Sequence, residues 1–212
     1  LMEPGKNSSF LTSLANFISI VFHPLLMPLY GLIIIFTAPT LLGYMPVELK
    51  KVLFMVVLIN NVFIPLILFP LFRSRNIISS YTIEARKERA IPLIMMSVLY
   101  SVTSFIIFRH QIPVFLKSFV FSSTFLVILL TLINFWWKIS IHAMAAGALN
   151  AVVIILSVKL ISPLVWYLIA TVLIAGLVMS ARLKLNSHNP AQVWSGFFTG
   201  FAGLSFFLML LV

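Results

Sequence analysis

Apolar residues run along this chain in long blocks with short polar breaks between them. Seven blocks cover residues 25–43, 52–72, 90–108, 115–137, 141–158, 160–181 and 191–212. Each holds about 18–23 residues, enough to cross roughly 30 Å of hydrocarbon as an α-helix at about 1.5 Å per residue. None alternates in the two-residue period of an outer-membrane strand. A shorter block at residues 10–22 is too short to span alone, lacks a small-x-small cleavage site and runs on into His23 and Pro24. It reads as an interfacial or re-entrant helix, not a cleaved leader. Leu1 ahead of Met2 is read as a remnant and set aside. The expected architecture is all-α: a polytopic helical membrane protein of six to seven transmembrane helices plus a short N-terminal interfacial helix, in a single domain over residues 1–212. The connections are too short to hold a further domain.

Composition agrees with the pattern. Hydrophobic residues make up 62% of the 212 residues and charged ones 8%, against roughly 45–50% and 25% in soluble domains. With 20 Phe and a mean hydropathy of +1.16, so much apolar surface has no place inside a 23.9 kDa soluble globule. Cysteine is absent, which removes disulfides, thiolate catalysis and Cys-ligated zinc. Fourteen Lys and Arg face four acids, Glu3, Glu48, Glu84 and Glu88, giving a net charge of +10 with no Asp anywhere. The bases sit singly between apolar blocks, so no nucleic-acid partner is expected. Interfacial anchoring accounts for such residues, and sites for anionic lipid headgroups are the functional alternative.

Alternation of the spans places the loops. The loops near residues 72–90, 137–141 and 182–190 fall on one membrane face; Lys50, Lys51, Arg109, Lys117 and Lys159 fall on the other. The first face collects Arg86, Arg89, Lys138, His142, Arg182 and His188. Arg86 and Arg89 are three apart and share a side of a helix, with Glu84 and Glu88 spaced to pair with them; a solvated helix start has the same pattern. His142 opens one helix, and His188 precedes Asn189-Pro190 at the start of another, where free N–H groups and the dipole favour an anion. Capping or headgroup contact is the plainer role for either alone. Ala143, Gly147 and Ala151 form a small-residue row, and Gly196 and Gly200 a G-x-x-x-G. Close packing of those helices would bring the loops before them together.

Ser180-Ala181-Arg182, five residues, His188, then Asn189-Pro190-Ala191-Gln192 resembles the third motif, S-R-x5-H-x3-D, of the type 2 phosphatidic acid phosphatase superfamily. Val193-Trp194-Ser195-Gly196 is similar to that family's continuation. Ile139-Ser140-Ile141-His142 keeps the Ser and His of its P-S-G-H motif, and the basic run from Glu84 to Pro92 resembles its K-x6-R-P motif without the spacing. The resemblance covers roughly residues 84–200. The compact form resembles integral-membrane lipid phosphatases of Bacteroidetes-like bacteria.

The resemblance implies a hydrolase acting on a lipid phosphate or diphosphate through a phosphohistidine. His188 would be the nucleophile and His142 the acid and base. Arg182, Arg86, Arg89, Lys138 and Ser140 would bind phosphate, and Gln192 would orient His188. No metal or cofactor is implied; the partners are a lipid phosphate substrate and membrane lipids. Bacterial relatives would place the chain in the inner membrane with its active face periplasmic, which the cation count on the two faces leaves undecided. Gln192 stands where the family has Asp. With Ile139 and Ile141 it favours an alternative, a weakened or inactive relative that binds anionic headgroups as a scaffold. A transporter is a further alternative, resting on Asn60, Asn61 and Asn150 within apolar blocks; interhelical hydrogen bonding is the plainer role for them. Oligomeric state is open at this level.

Overall fold

The computed structural model describes residues 6–80, 83 and 85–211, with side chains from residue 9 onward. Leu1, Met2, Glu3 and Glu84 lie outside the described residues. Among the described residues eight helices follow one another: α1 (Lys6–Val21), α2 (Met27–Thr37), α3 (Val47–Ser74), α4 (Ala90–Phe108), α5 (Val114–Asn134), α6 (Ile141–Lys159), α7 (Val165–Lys184) and α8 (Pro190–Leu211). Among the described residues there is no strand. Helices α3 to α8 are each long and apolar enough to cross a membrane. The protein is an all-α polytopic helical membrane protein. Large apolar side chains such as Ile67, Phe105, Leu173 and Phe206 point outward, as lipid requires. Trp136 after α5 and Trp166 at the start of α7 are exposed at opposite ends of the bundle, where indoles favour the two interfaces.

Two apolar blocks fold differently from their pattern. The block at 25–43 is not a spanning helix. Its helix, α2, has 11 residues, about 16 Å of rise. Pro39 forces Ala38 into an extended conformation (φ −60°, ψ 141°), and the helix stops there. The block at 52–72 is longer than expected, since α3 begins at Val47 and takes in Lys50 and Lys51. It stays continuous past Pro65 by widening into a π-turn at Ile59–Phe63. Pro65 has no N–H for the carbonyl four residues back, and the wider turn absorbs the defect.

Helix α6 is the centre of the bundle. Ala151, Val153 and Leu156 are fully buried on it, and it packs on α2, α7 and most closely on α8. A Cβ at Gly147 would collide with the Phe197 carbonyl, and one at Gly200 with the Met144 carbonyl. The small-residue rows therefore do bring these two backbones together. Hydrogen bonds tie the other helices. Thr103 Oγ1 donates to Asn61 Oδ1 (2.8 Å), Ser104 bonds to Thr124 (2.8 Å), and Asn150 Nδ2 donates to the Thr171 carbonyl (3.2 Å). Asn61 and Asn150 are thus helix–helix contacts.

Candidate functional site

The close α6–α8 contact places the two histidines. Near their starts, a Cβ on Gly196 would lie 2.5 Å from the Ser140 carbonyl oxygen. Ser140 N–H donates to the Gln192 carbonyl at 3.1 Å. His142 and His188 therefore emerge from adjoining helix starts. Arg182 arrives on the last turn of α7, and Arg89 stands immediately before α4. The end of α1 closes the remaining side. The Ser19 carbonyl accepts from His142 Nε2 (3.2 Å), and Ser19 Oγ accepts from Arg182 Nη1 (3.1 Å).

The hydrogen bonds define the tautomers. Gln192 Oε1 accepts from the Asn189 N–H (3.3 Å) and lies 3.1 Å from His188 Nδ1. That oxygen can only accept, so Nδ1 carries the proton and Nε2 keeps its lone pair. Asn189 Oδ1 returns a bond from the Gln192 N–H at 2.9 Å, which fixes the loop to the helix. Burial, then the Arg89 charge, then Lys138 and Arg182, lower the His188 pKa to about 4, against a smaller upward pull from Gln192. The imidazole is neutral at physiological pH. His142 donates from Nε2 to a carbonyl, so its bare nitrogen is Nδ1. Arg89 is buried, and its Nε donates to the Ile83 carbonyl at 2.9 Å.

His23, Arg89, His142, Arg182 and His188 line one cavity of about 600 Å³. Its remaining walls are almost wholly apolar, among them Leu66, Phe69, Met96, Phe119 and Val152. His142 and Val152 are both lining residues ten positions apart on α6, so the cavity runs about 15 Å toward the bilayer centre. The space is thus amphiphilic, with a cationic and imidazole mouth above an apolar shaft.

Not every residue singled out in the sequence faces this space. Arg86 turns its Nη1 to the Asn134 and Phe135 carbonyls, capping the end of α5. Ser140 is fully buried as the N-cap of α6, its Oγ accepting from the Ala143 N–H at 3.4 Å. Neither lines the cavity, so neither is placed to bind phosphate there. Lys138 acts on His188 by its charge and is not a lining residue. Glu88, expected to pair with neighbouring bases, accepts instead from Ser79 N–H (2.7 Å) and Oγ (2.9 Å). Ser19 and His23 are the additions: a polar residue inside the first apolar block and a His-Pro break at its end. No family model, curated protein or solved structure matches the chain.

Proposed function

We propose that the protein is a lipid phosphate phosphatase. The supporting observation is the meeting of His142, His188, Arg182 and Arg89 at the mouth of one apolar cavity. A phosphate headgroup fits the mouth and a hydrocarbon tail the shaft. Arg182 and Arg89 neutralise the phosphoryl oxygens, as planar guanidiniums do well. His188 Nε2 attacks phosphorus; the phosphorus–oxygen bond to the lipid breaks, and a phosphohistidine forms. His142 Nδ1, bare at rest, takes the proton of the phosphate monoanion and passes it to the leaving alkoxide. It then takes a proton from the water that cleaves the phosphohistidine and returns it to the departing inorganic phosphate. Most of the catalysis is positioning and charge neutralisation. The reading places the mouth on the periplasmic side of a bacterial inner membrane.

The test is phosphate release by the purified protein from phosphatidate, phosphatidylglycerol phosphate, a prenyl diphosphate and a lipid A phosphate in detergent micelles. Release from at least one, inhibited by orthovanadate, is expected. No release from any of the four refutes the reading. One observation favours a second reading. Gln192 holds the His188 Nδ1 proton but brings no negative charge to stabilise an imidazolium. A headgroup-binding protein without turnover would bind these lipids and orthovanadate yet release nothing.

A further inference from the structure

We propose that the end of α1 and the turn after it complete the phosphate site, Ser19 positioning Arg182 and His142 and His23 donating a hydrogen bond from Nε2 to the bound phosphoryl group. The inference deepens the phosphatase reading and rests on it for the identity of the ligand. It concerns a segment well outside the stretch that resembles any phosphatase motif.

Ser19 is buried and bonded on every side that matters. Its hydroxyl donates to the Ala15 carbonyl at 2.9 Å, so its lone pairs are left for Arg182 Nη1 at 3.1 Å. Its own carbonyl takes the Nε2 proton of His142 at 3.2 Å. One residue therefore sets the direction of a phosphate-binding guanidinium and the tautomer of the proton-transfer imidazole. Four residues on, one helical turn later, the chain breaks at His23-Pro24. The Leu25 N–H donates to His23 Nδ1 at 3.3 Å, which leaves the ring proton on Nε2. The His23 ring lines the cavity and meets the His142 ring edge to face, with centroids 5.5 Å apart. Desolvation and the Arg182 charge lower its pKa below the usual imidazole value, so it offers a neutral N–H donor at pH 7. A charge-assisted bond from such a donor to a phosphoryl oxygen is worth about 10–100-fold in affinity.

The experiment measures orthovanadate affinity by calorimetry on the full-length protein in detergent, beside phosphate release. His23→Phe keeps the ring and removes the donor; orthovanadate affinity should fall about 10–100-fold. His23→Gln, whose amide restores an N–H, should recover most of it. Ser19→Ala should lower kcat about 100-fold through misplacement of the groups it holds, and Ser19→Thr, which keeps the hydroxyl, should rescue it. Wild-type affinity in His23→Phe, or equal loss in Ser19→Ala and Ser19→Thr, overturns the assignment of that residue. Where a variant does not fold, the wild type decides: orthovanadate must move the His23 Nε2 resonance in a ¹⁵N spectrum, and an unmoved signal rejects the donor role. A wild type that binds orthovanadate through His23 but releases no phosphate keeps this inference and rejects the phosphatase reading. A wild type that binds no orthovanadate rejects both.

Discussion

Gly196→Ala tests the link between packing and site. The added Cβ would lie 2.5 Å from the Ser140 carbonyl oxygen, 3.3 Å from Ala143 Cβ and 3.4 Å from the Met144 nitrogen. The closest of these is backbone and cannot swing aside. Ordinary contact begins near 3.4 Å, so the starts of α6 and α8 must part by about 1 Å. That movement stretches the Ser140–Gln192 backbone bond, now 3.1 Å, toward 4 Å, outside hydrogen-bonding range. His142 lies two residues from Ser140, and His188 is held by Gln192. The two imidazoles are therefore carried apart by a comparable amount. Overpacking of this kind costs about 1–3 kcal/mol, and a 1 Å displacement of reacting groups costs about 10²-fold in rate. Gly176→Ala on α7 is the control, because nothing lies within 4 Å of its added Cβ. Phosphate release, orthovanadate affinity and the unfolding midpoint in detergent should all fall for Gly196→Ala and hold for Gly176→Ala. Wild-type values in Gly196→Ala would refute the packing argument. A lowered midpoint with full activity in the folded fraction would refute its connection to the site.

His188→Ala should abolish turnover, by about 10³-fold or more on the precedent of other covalent nucleophiles, with folding intact by circular dichroism; a wild-type rate of phosphate release would remove His188 as the nucleophile. A ¹⁵N titration should find His188 changing charge near pH 4, and Arg89→Gln should move that value upward because it removes a repelling cation; a wild-type value near 6.5 contradicts the described surroundings. The sign for stability follows: the unfolded imidazole takes its proton near pH 6.5, so the His188 contribution is complete above that pH and is lost as pH falls toward 4, which melting curves at pH 7 and pH 4.5 can measure. Gln192→Glu is isosteric and sets a carboxylate against the Nδ1 proton, so the His188 titration should rise and kcat should increase; a decrease in kcat with unchanged structure would mean that the neutral amide is the suited partner. Asn61→Leu breaks a bond to Thr103 in the bilayer core and should cost about 0.6–1.7 kcal/mol of stability while leaving kcat unchanged, and a loss of kcat at full stability would point to a role in a pathway through the membrane.

The membrane class and the six long helices are legible in residue order because lipid imposes one rule on every span: about 20 apolar residues with all backbone groups bonded internally. The ends of the blocks are less legible. Apolar character continues from Leu41 and Leu42 past the point where Pro39 has already ended α2, so hydropathy overstates that helix. Val47–Lys51 errs in the other direction. Lys50 belongs to α3, since its long stem lets the ammonium reach the Phe36 (3.2 Å) and Gly43 (2.5 Å) carbonyls beyond the helix end. A charge marks where a side chain finishes, and the backbone beneath it can already be helical.

The site divides along a similar line. Residues that are paired by helix packing could be found, because a glycine row states which helices approach and the loop order states which face they share. The nearness of His142 and His188 follows from those two facts together, whereas the place of Gln192 came only with the motif resemblance. Arg86 and Ser140 fail for a local reason. Each sits beside a helix end whose backbone groups need partners, and that need takes the side chain away from the cavity. Which of two nearby cations caps a helix and which faces the cavity depends on rotamers that spacing does not encode. Ser19 and His23 fail for the opposite reason, distance. Ser19 meets Arg182 across 163 positions of sequence, and nothing in the first apolar block signals what it will touch. Thr12, Ser13 and Asn16 in the same block are exposed, and only burial, one turn before the His-Pro break, sets Ser19 apart from them. In a helix facing lipid a serine gains nothing from solvent, and burying it unpaired is costly. A polar residue kept at such a place implies a polar partner, and here that partner is the site itself.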